Sequence, residues 1–334
     1  MDISKLGEFK LISRLTKDFK PVHPSTLKGI GDDAAILICG DTALAVTTDM
    51  LVEGIDFDLT YVPLQHLGYK AAIVAFSNLY AMNVKPRQLL VAIAVSAKFS
   101  VEALELFYHG LKLACKCHCV DLVGGDTTSS VTGLAINVTA IGEAELTKVT
   151  YRHTAKKGDL ICVSGNLGAA YMGLQVLERE KKLFQDDPTI QPLLENYKYV
   201  VGRQLKPEAR QDMVHFFASA GLQPTAMIDL SDGLSSELLH ICTASDAGCE
   251  IHHHKIPIAD ETVAVAEEFY LEPLITALNG GNDYELLFTI PVKDYGKIVG
   301  NEDISIIGYV TAQEEGCRLV TENGTRMEIK DQGW

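Results

Sequence analysis

The chain has 334 residues, 47% hydrophobic and 22% charged, the balance of an ordinary folded protein with material for two domains. Its formal charge of −15 excludes nucleic acid and anionic membrane as main partners, since both need a basic face. Phosphate ligands stay open, because clustered carboxylates can hold metal first and phosphate through it. No run nears the roughly 18 apolar residues of a membrane span, and the N-terminal stretch MDISKLGEFKLISRLTKDF lacks a signal core, so a cytoplasmic protein is expected.

In chain order, the N-terminus predicts a short amphipathic helix, followed by a polar loop through Pro24 and then GIGDD at 29–33. Gly29, Gly31 and Ala34 satisfy G-x-G-x-x-A, but that fingerprint should follow a strand and open a helix. Here it opens a strand-like run, Ala34 to Cys39, and Asp32 and Asp33 would repel bare pyrophosphate. A Walker A loop is also absent, since Gly296-Lys297 is followed by Ile298. Residues 43–49 (ALAVTTD) predict a buried strand, and 66–82 a helix carrying Ser77 and Asn78 between its apolar positions. A strand follows at 88–96, a helix at 101–116, a strand at 119–123 delivering GGDTT (124–128), and a strand at 133–144.

The charged segment 149–157 predicts a boundary between domains 1–149 and 150–334. Beyond it come DLICVSG, a helix after Gly165 to Gly168, a polar helix and loop at 179–206, and a helix after Pro207. The strand AMIDL then runs into SDGL, where Ser231 or Asp232 can cap a helix at 233–245 and aim backbone N–H groups at a phosphate. Strands around 284–290 and 304–311 complete an alternation without internal repeats, which predicts α/β or α+β layers.

Eight cysteines fit a reducing compartment. Cys115, Cys117 and Cys119 alternate as the start of a strand would, and they lack the second C-x₂₋₄-C pair of a structural zinc site. His252, His253 and His254 are consecutive, so in a strand they point to opposite faces, and a solvated strand end is expected.

Asp32, Asp33, Asp49, Asp126, Asp229 and Asp232 each lie at the end of an apolar strand-like run or in the turn after it. One such aspartate is ordinarily a turn or cap residue; a converging set requires cations. GIGDDAA, TTDMLVEG, SNLYAMNVKP, GGDTT, IDLSDGL and GGNDYELLF, in this order and spacing, resemble the thiamine-monophosphate kinase family, over nearly the whole chain. That family belongs to an ATP-binding superfamily with aminoimidazole ribonucleotide synthetase.

The resemblance implies a two-domain fold, α/β then α+β, whose N-terminal strands pair with a second subunit in a homodimer. It implies ATP-dependent, Mg²⁺-dependent phosphorylation of thiamine phosphate to thiamine diphosphate by direct in-line transfer. Carried over by position, Asp33, Thr47, Thr48, Asp49, Asn78, Asp126, Asp229 and Asp232 would hold several Mg²⁺ ions. Gly125, Asp126, Arg152 and Ser231 would contact ATP, with Arg152, Asp49 and Asp126 carrying the catalytic load. Trp334 would lie against the thiazolium, which an indole face attracts, with Asp56 and Asn282 on the acceptor side. Three positions depart from the family pattern: Asn78 replaces an Asp, Asp56 a His and Asn282 a Glu. They keep open a related enzyme with another phosphorylated acceptor, or a binding protein without turnover.

Overall fold

The computed structural model describes residues 8–330; Trp334 lies outside them. After α1 (Glu8–Thr16), the first half builds a six-stranded sheet from β1 (Thr26–Lys28), β2 (Ala35–Cys39), β3 (Thr42–Val52), β4 (Lys85–Ser96), β5 (Asp121–Ser130) and β6 (Ala135–Glu145), in the order β1-β2-β3-β6-β4-β5. Its spine is the antiparallel β3–β6 pair, in register from Thr42↔Glu145 to Val52↔Ala135. Alternate residues Ala43, Ala45, Thr47 and Leu51 of β3 turn inward. They face α2 (Leu64–Ala81), a helix apolar enough to be buried nearly all round.

α3 (Val101–His118) crosses α2 through glycine on both sides. A Cβ on Gly68 would stand 1.9 Å from the Phe107 carbonyl oxygen, and one on Gly110 would stand 1.9 Å from that of Gln65. Gly110→Ala must therefore push two helices apart. It is expected to cost at least about 1–3 kcal/mol in urea unfolding, the scale of an overpacked core. Gly202→Ala is the control: it sits within a helix with open space at its Cβ and should gain about 0.5–1 kcal/mol from helix propensity.

The second half adds β7 (Leu160–Ser164), α4 (Ala169–Asp186), α5 (Lys198–Leu205), α6 (Gln211–Ala220), β8 (Ala226–Asp229), α7 (Leu234–Ala244) and β9 (Ala247–His252). Then come α8 (Asp260–Glu268), α9 (Pro273–Asn279), β10 (Leu286–Ile290), β11 (Ile304–Ala312), β12 (Cys317–Val320) and β13 (Arg326–Glu328). Its seven-stranded sheet has the order β13-β12-β9-β11-β7-β10-β8, with β12 parallel to β9. Apolar packing does not stop at the junction, because Met172 and Val176 of α4 and Val200 of α5 belong to one cluster with α2 and α3.

Two expectations are corrected here. Cys115 and Cys117 lie in the last turn of α3 and Cys119 caps it at φ 56°, so their alternation is helical rather than that of a strand. The GGDTT residues lie within β5, an exposed edge strand, and not in a loop after it. The histidine run does fall at a strand end, with His252 closing β9 and His253–Lys255 forming a 3-10 turn.

Candidate active site

The loop before β2 contributes two carboxylates. Asp33 is buried and receives a fork from Arg152, with Nε 3.0 Å from Oδ2 and Nη2 2.5 Å from Oδ1. Asp32 accepts the Arg152 backbone N–H at 3.3 Å. Its Oδ2 has no hydrogen-bond partner and faces Lys28 Nζ at 3.7 Å and His153 Nδ1 at 3.8 Å. Burial, then the charge of Asp33, push the Asp32 carboxyl up to about 6.

β3 supplies Thr47 and Asp49 on its inner face. Strand alternation sends Thr48 to the opposite face, where its hydroxyl meets the Val138 carbonyl and the Thr139 hydroxyl, both at 3.2 Å. Thr48 is therefore not brought to the other expected ligands. Asn78 on α2 donates to Thr47 Oγ1 at 3.2 Å and to both Asp49 oxygens at 3.0 and 3.1 Å. Burial pushes Asp49 up to about 6; the Asn78 hydrogen bonds oppose the shift and the charge of Asp33 adds to it.

From the other half, Asp229 ends β8 and accepts the Ser77 hydroxyl at 2.7 Å. Burial, then the charge of Asp33 with a smaller contribution from Asp49, raise its carboxyl well above the usual range. Ser77 and Asn78 are thus consecutive residues of α2 that reach the two halves of the site. α7 starts after Gly233, at φ 116°, so the N-cap position belongs to Gly233 and not to Ser231 or Asp232. The capping runs the other way: Glu237, within α7, accepts the backbone N–H groups of Ser231 at 3.1 Å and Asp232 at 2.8 Å.

A third segment, 280–285, closes over the Ser231–Asp232 loop. Asn282 N–H donates to the Ser231 carbonyl at 2.7 Å, Tyr284 N–H to that of Leu230 at 2.9 Å, and Tyr284 OH to Asn282 Oδ1 at 2.9 Å. Asn282 sits at φ 60°, a left-handed conformation that asparagine tolerates better than glutamate, which accounts locally for that departure. Asp56 accepts the Val52 N–H at 2.7 Å and so closes its own turn. Its charge reaches Tyr284 and the buried Lys70, whose ammonium burial pushes down to about 8.

The charges of Asp33, Asp49 and Asp229 therefore act on one another, Arg152 acts on Asp33 and Asp229, and Asp232 shares Tyr284 with Asp229 and Asp49. Asp126 does not join them by any hydrogen bond: it stands on exposed β5, accepting the Thr127 N–H at 2.8 Å. Next to it, a Cβ on Gly125 would lie 1.8 Å from the Val91 carbonyl oxygen, so only glycine fits that strand pair. Among the described residues no three carboxylates bring oxygens within 4.8 Å of one another. The donors are oxygens and they are spaced, which fits Mg²⁺, an ion that keeps water and phosphate in its shell.

Sequence reasoning passed over Glu237 and Tyr284 and assigned Ser77 no role. Tyr284 is inside a quoted motif, whereas Glu237 has no local signal, since its partner amides lie outside its own helix.

The raised carboxyls set a pH dependence. Folded pKa values near 6 against about 3.8 unfolded mean that folding takes up protons between these values. Metal-free protein should then become more stable as pH falls from 7 to about 5. Melting temperatures across that range check this, and Asp49→Asn should flatten the slope.

Residues 31–144 match the family model for the AIR synthase related protein N-terminal domain. The thiamine-monophosphate kinase of Buchnera aphidicola subsp. Schizaphis graminum is 34% identical, over 98% of this chain and 98% of its own length. That of Aquifex aeolicus is 33% identical over 100% and 99%. The solved structure of AaThiL complexed with AMPPCP and TMP superposes with TM-score 0.84 at 31% identity, covering 100% of this chain and 98% of that one.

Proposed function

Because this chain belongs to the thiamine-monophosphate kinase family, we propose that it transfers the γ-phosphoryl group of ATP to thiamine phosphate, giving thiamine diphosphate and ADP. The observation that carries this reading is the mutual influence of Asp33, Asp49 and Asp229, with Arg152 forked onto Asp33 and acting on Asp229. The AMPPCP and TMP held by the related structure support the two substrate roles.

The acceptor is a phosphate oxygen, already ionised at neutral pH, so the reaction needs positioning and charge neutralisation and no general base. Bound Mg²⁺ would supply Lewis-acid neutralisation of the phosphates. Asp33, Thr47, Asp49, Asn78, Asp229 and Asp232 would hold it, and Asp126 would serve from the sheet edge; Thr48, turned to the outer face, is left out of the set. Arg152, held at the site by its fork on Asp33, would neutralise phosphate charge beside the cation. Gly125 and Ser231 would meet the nucleotide, and Asp56, Asn282 and Trp334 the acceptor. The uncovered edge β5 supports a homodimer that pairs strands of the N-terminal half (1–149). The dimer would be cytoplasmic; among the described residues no helix is long and apolar enough to cross a membrane.

The test is ADP release by purified protein with Mg²⁺, with and without thiamine phosphate, and identification of the thiamine product. Acceptor-dependent ADP with thiamine diphosphate supports the proposal. ATP turnover only with another acceptor, or none at all, sinks it.

Asn78→Asp adds a carboxylate beside Asp49 and removes the donated hydrogen bonds. Without Mg²⁺ the variant should lose about 1–3 kcal/mol. With Mg²⁺ it should regain stability and half-saturate at several-fold lower concentration, read from melting and activity titrations.

A further inference from the structure

Three thiols meet in the second half. Cys242 comes from α7, Cys249 from β9 and Cys317 from β12, and their sulfurs all lie within 4.8 Å of one another. Cys249 and Cys317 are direct partners in the parallel β9–β12 pair, so both point to the same face, which α7 covers. Cys242 and Cys249 are buried in the apolar cluster with Leu238, Ile251 and Leu319, while Cys317 is half-buried and gives access from the sheet edge. All three are free thiols.

Three cysteines from separate elements within bonding range of one point exceed what apolar packing requires. We propose that Cys242, Cys249 and Cys317 form a three-thiolate site for a soft monovalent cation of the Cu(I) class. Thiolate sulfur selects soft ions and disfavours the hard cations suited to the carboxylate site. Structural zinc takes four protein ligands, and among the described residues no fourth Cys, His, Asp or Glu joins this group. Glu250 and His252 alternate to the opposite face of β9, where Glu250 is engaged by Tyr309 and Arg326. Binding exchanges thiol protons, released to solvent, for the metal and changes no oxidation state. The ion would tie α7, which follows the Ser231–Asp232 loop, to the β12–β13 hairpin.

The test uses reduced full-length protein titrated anaerobically with Cu(I) against bicinchoninate. The expected result is one equivalent held against the competitor, with ultraviolet sulfur-to-copper absorption and a raised melting temperature. Cys317→Ser should weaken that equivalent at least tenfold, while the double variant Cys117→Ser/Cys119→Ser should leave it unchanged. Should Cys317→Ser fold poorly, the unmodified chain still decides, because bound copper must slow alkylation of Cys317 measured by peptide mass. Failure to hold one equivalent, loss through Cys117 and Cys119 instead, or unprotected Cys317 would overturn the site.

Discussion

Glu285→Ala is expected to lose about 3–5 kcal/mol of stability, the cost of stripping one partner from a buried ion network. Glu285 is 2% exposed. It receives Arg203 at 2.9 Å, Arg210 at 2.5 Å and the Ser164 hydroxyl at 2.6 Å. Alanine would leave both guanidinium groups short of a carboxylate in a mostly dry site. The same segment places Asp283, which accepts the Gly168 and Ala170 N–H groups at 2.7 and 3.3 Å and so caps α4. Between Asp283 and Glu285 stands Tyr284, whose hydroxyl donates to Asn282 and which burial, then the charges of Asp229 and Asp49, hold protonated, so activity should fall with stability. Glu285→Gln, which keeps the shape and loses the charge, should fall between. Urea unfolding measures both, and a loss under about 1 kcal/mol for Glu285→Ala would show the network to be ornamental.

Arg152→Ala should lower kcat by about 10³-fold or more, the scale of an arginine that neutralises a transferring phosphoryl group. Arg152→Lys should recover only part, because a point charge cannot reproduce the fork on Asp33. The variant also leaves Asp33 buried beside Asp49 and Asp229 without its cation, so the metal-free protein should melt lower. Mg²⁺ should restore the melting temperature without restoring turnover. Steady-state kinetics at saturating ATP and thiamine phosphate provide the check; a kcat within tenfold of the parent would remove Arg152 from the transfer step.

The order of strands and helices was legible because their periodicities are clear. β3 alternates, and α2 repeats its apolar residues at helical spacing. The errors have local causes. Cys115 and Cys117 alternate as strand residues would, yet the helix simply continues through them to a left-handed Cys119. Ser231 and Asp232 have the right chemistry for a cap, but the helix begins only after Gly233, which holds the cap position. Thr47 and Thr48 are adjacent in sequence and opposite in space, a direct result of the strand period. The grouping of Asp33, Asp49 and Asp229 was legible only through the family resemblance, since no local pattern shows it and it depends on α2 reaching Asp229 with Ser77 and Asp49 with Asn78.

That last arrangement makes the buffer part of the mechanics. Ser77 grips Asp229 across the halves while Asn78, its neighbour on the same helix, holds Asp49, and the Arg152 fork on Asp33 is the charged bond that crosses with it, all against mutual repulsion of carboxylates. A cation seated there would turn the repulsion into a clasp that a chelator would remove. Preparations that differ only in trace metal would therefore differ in stiffness along this seam, and handling in chelator would resemble loosening a hinge pin.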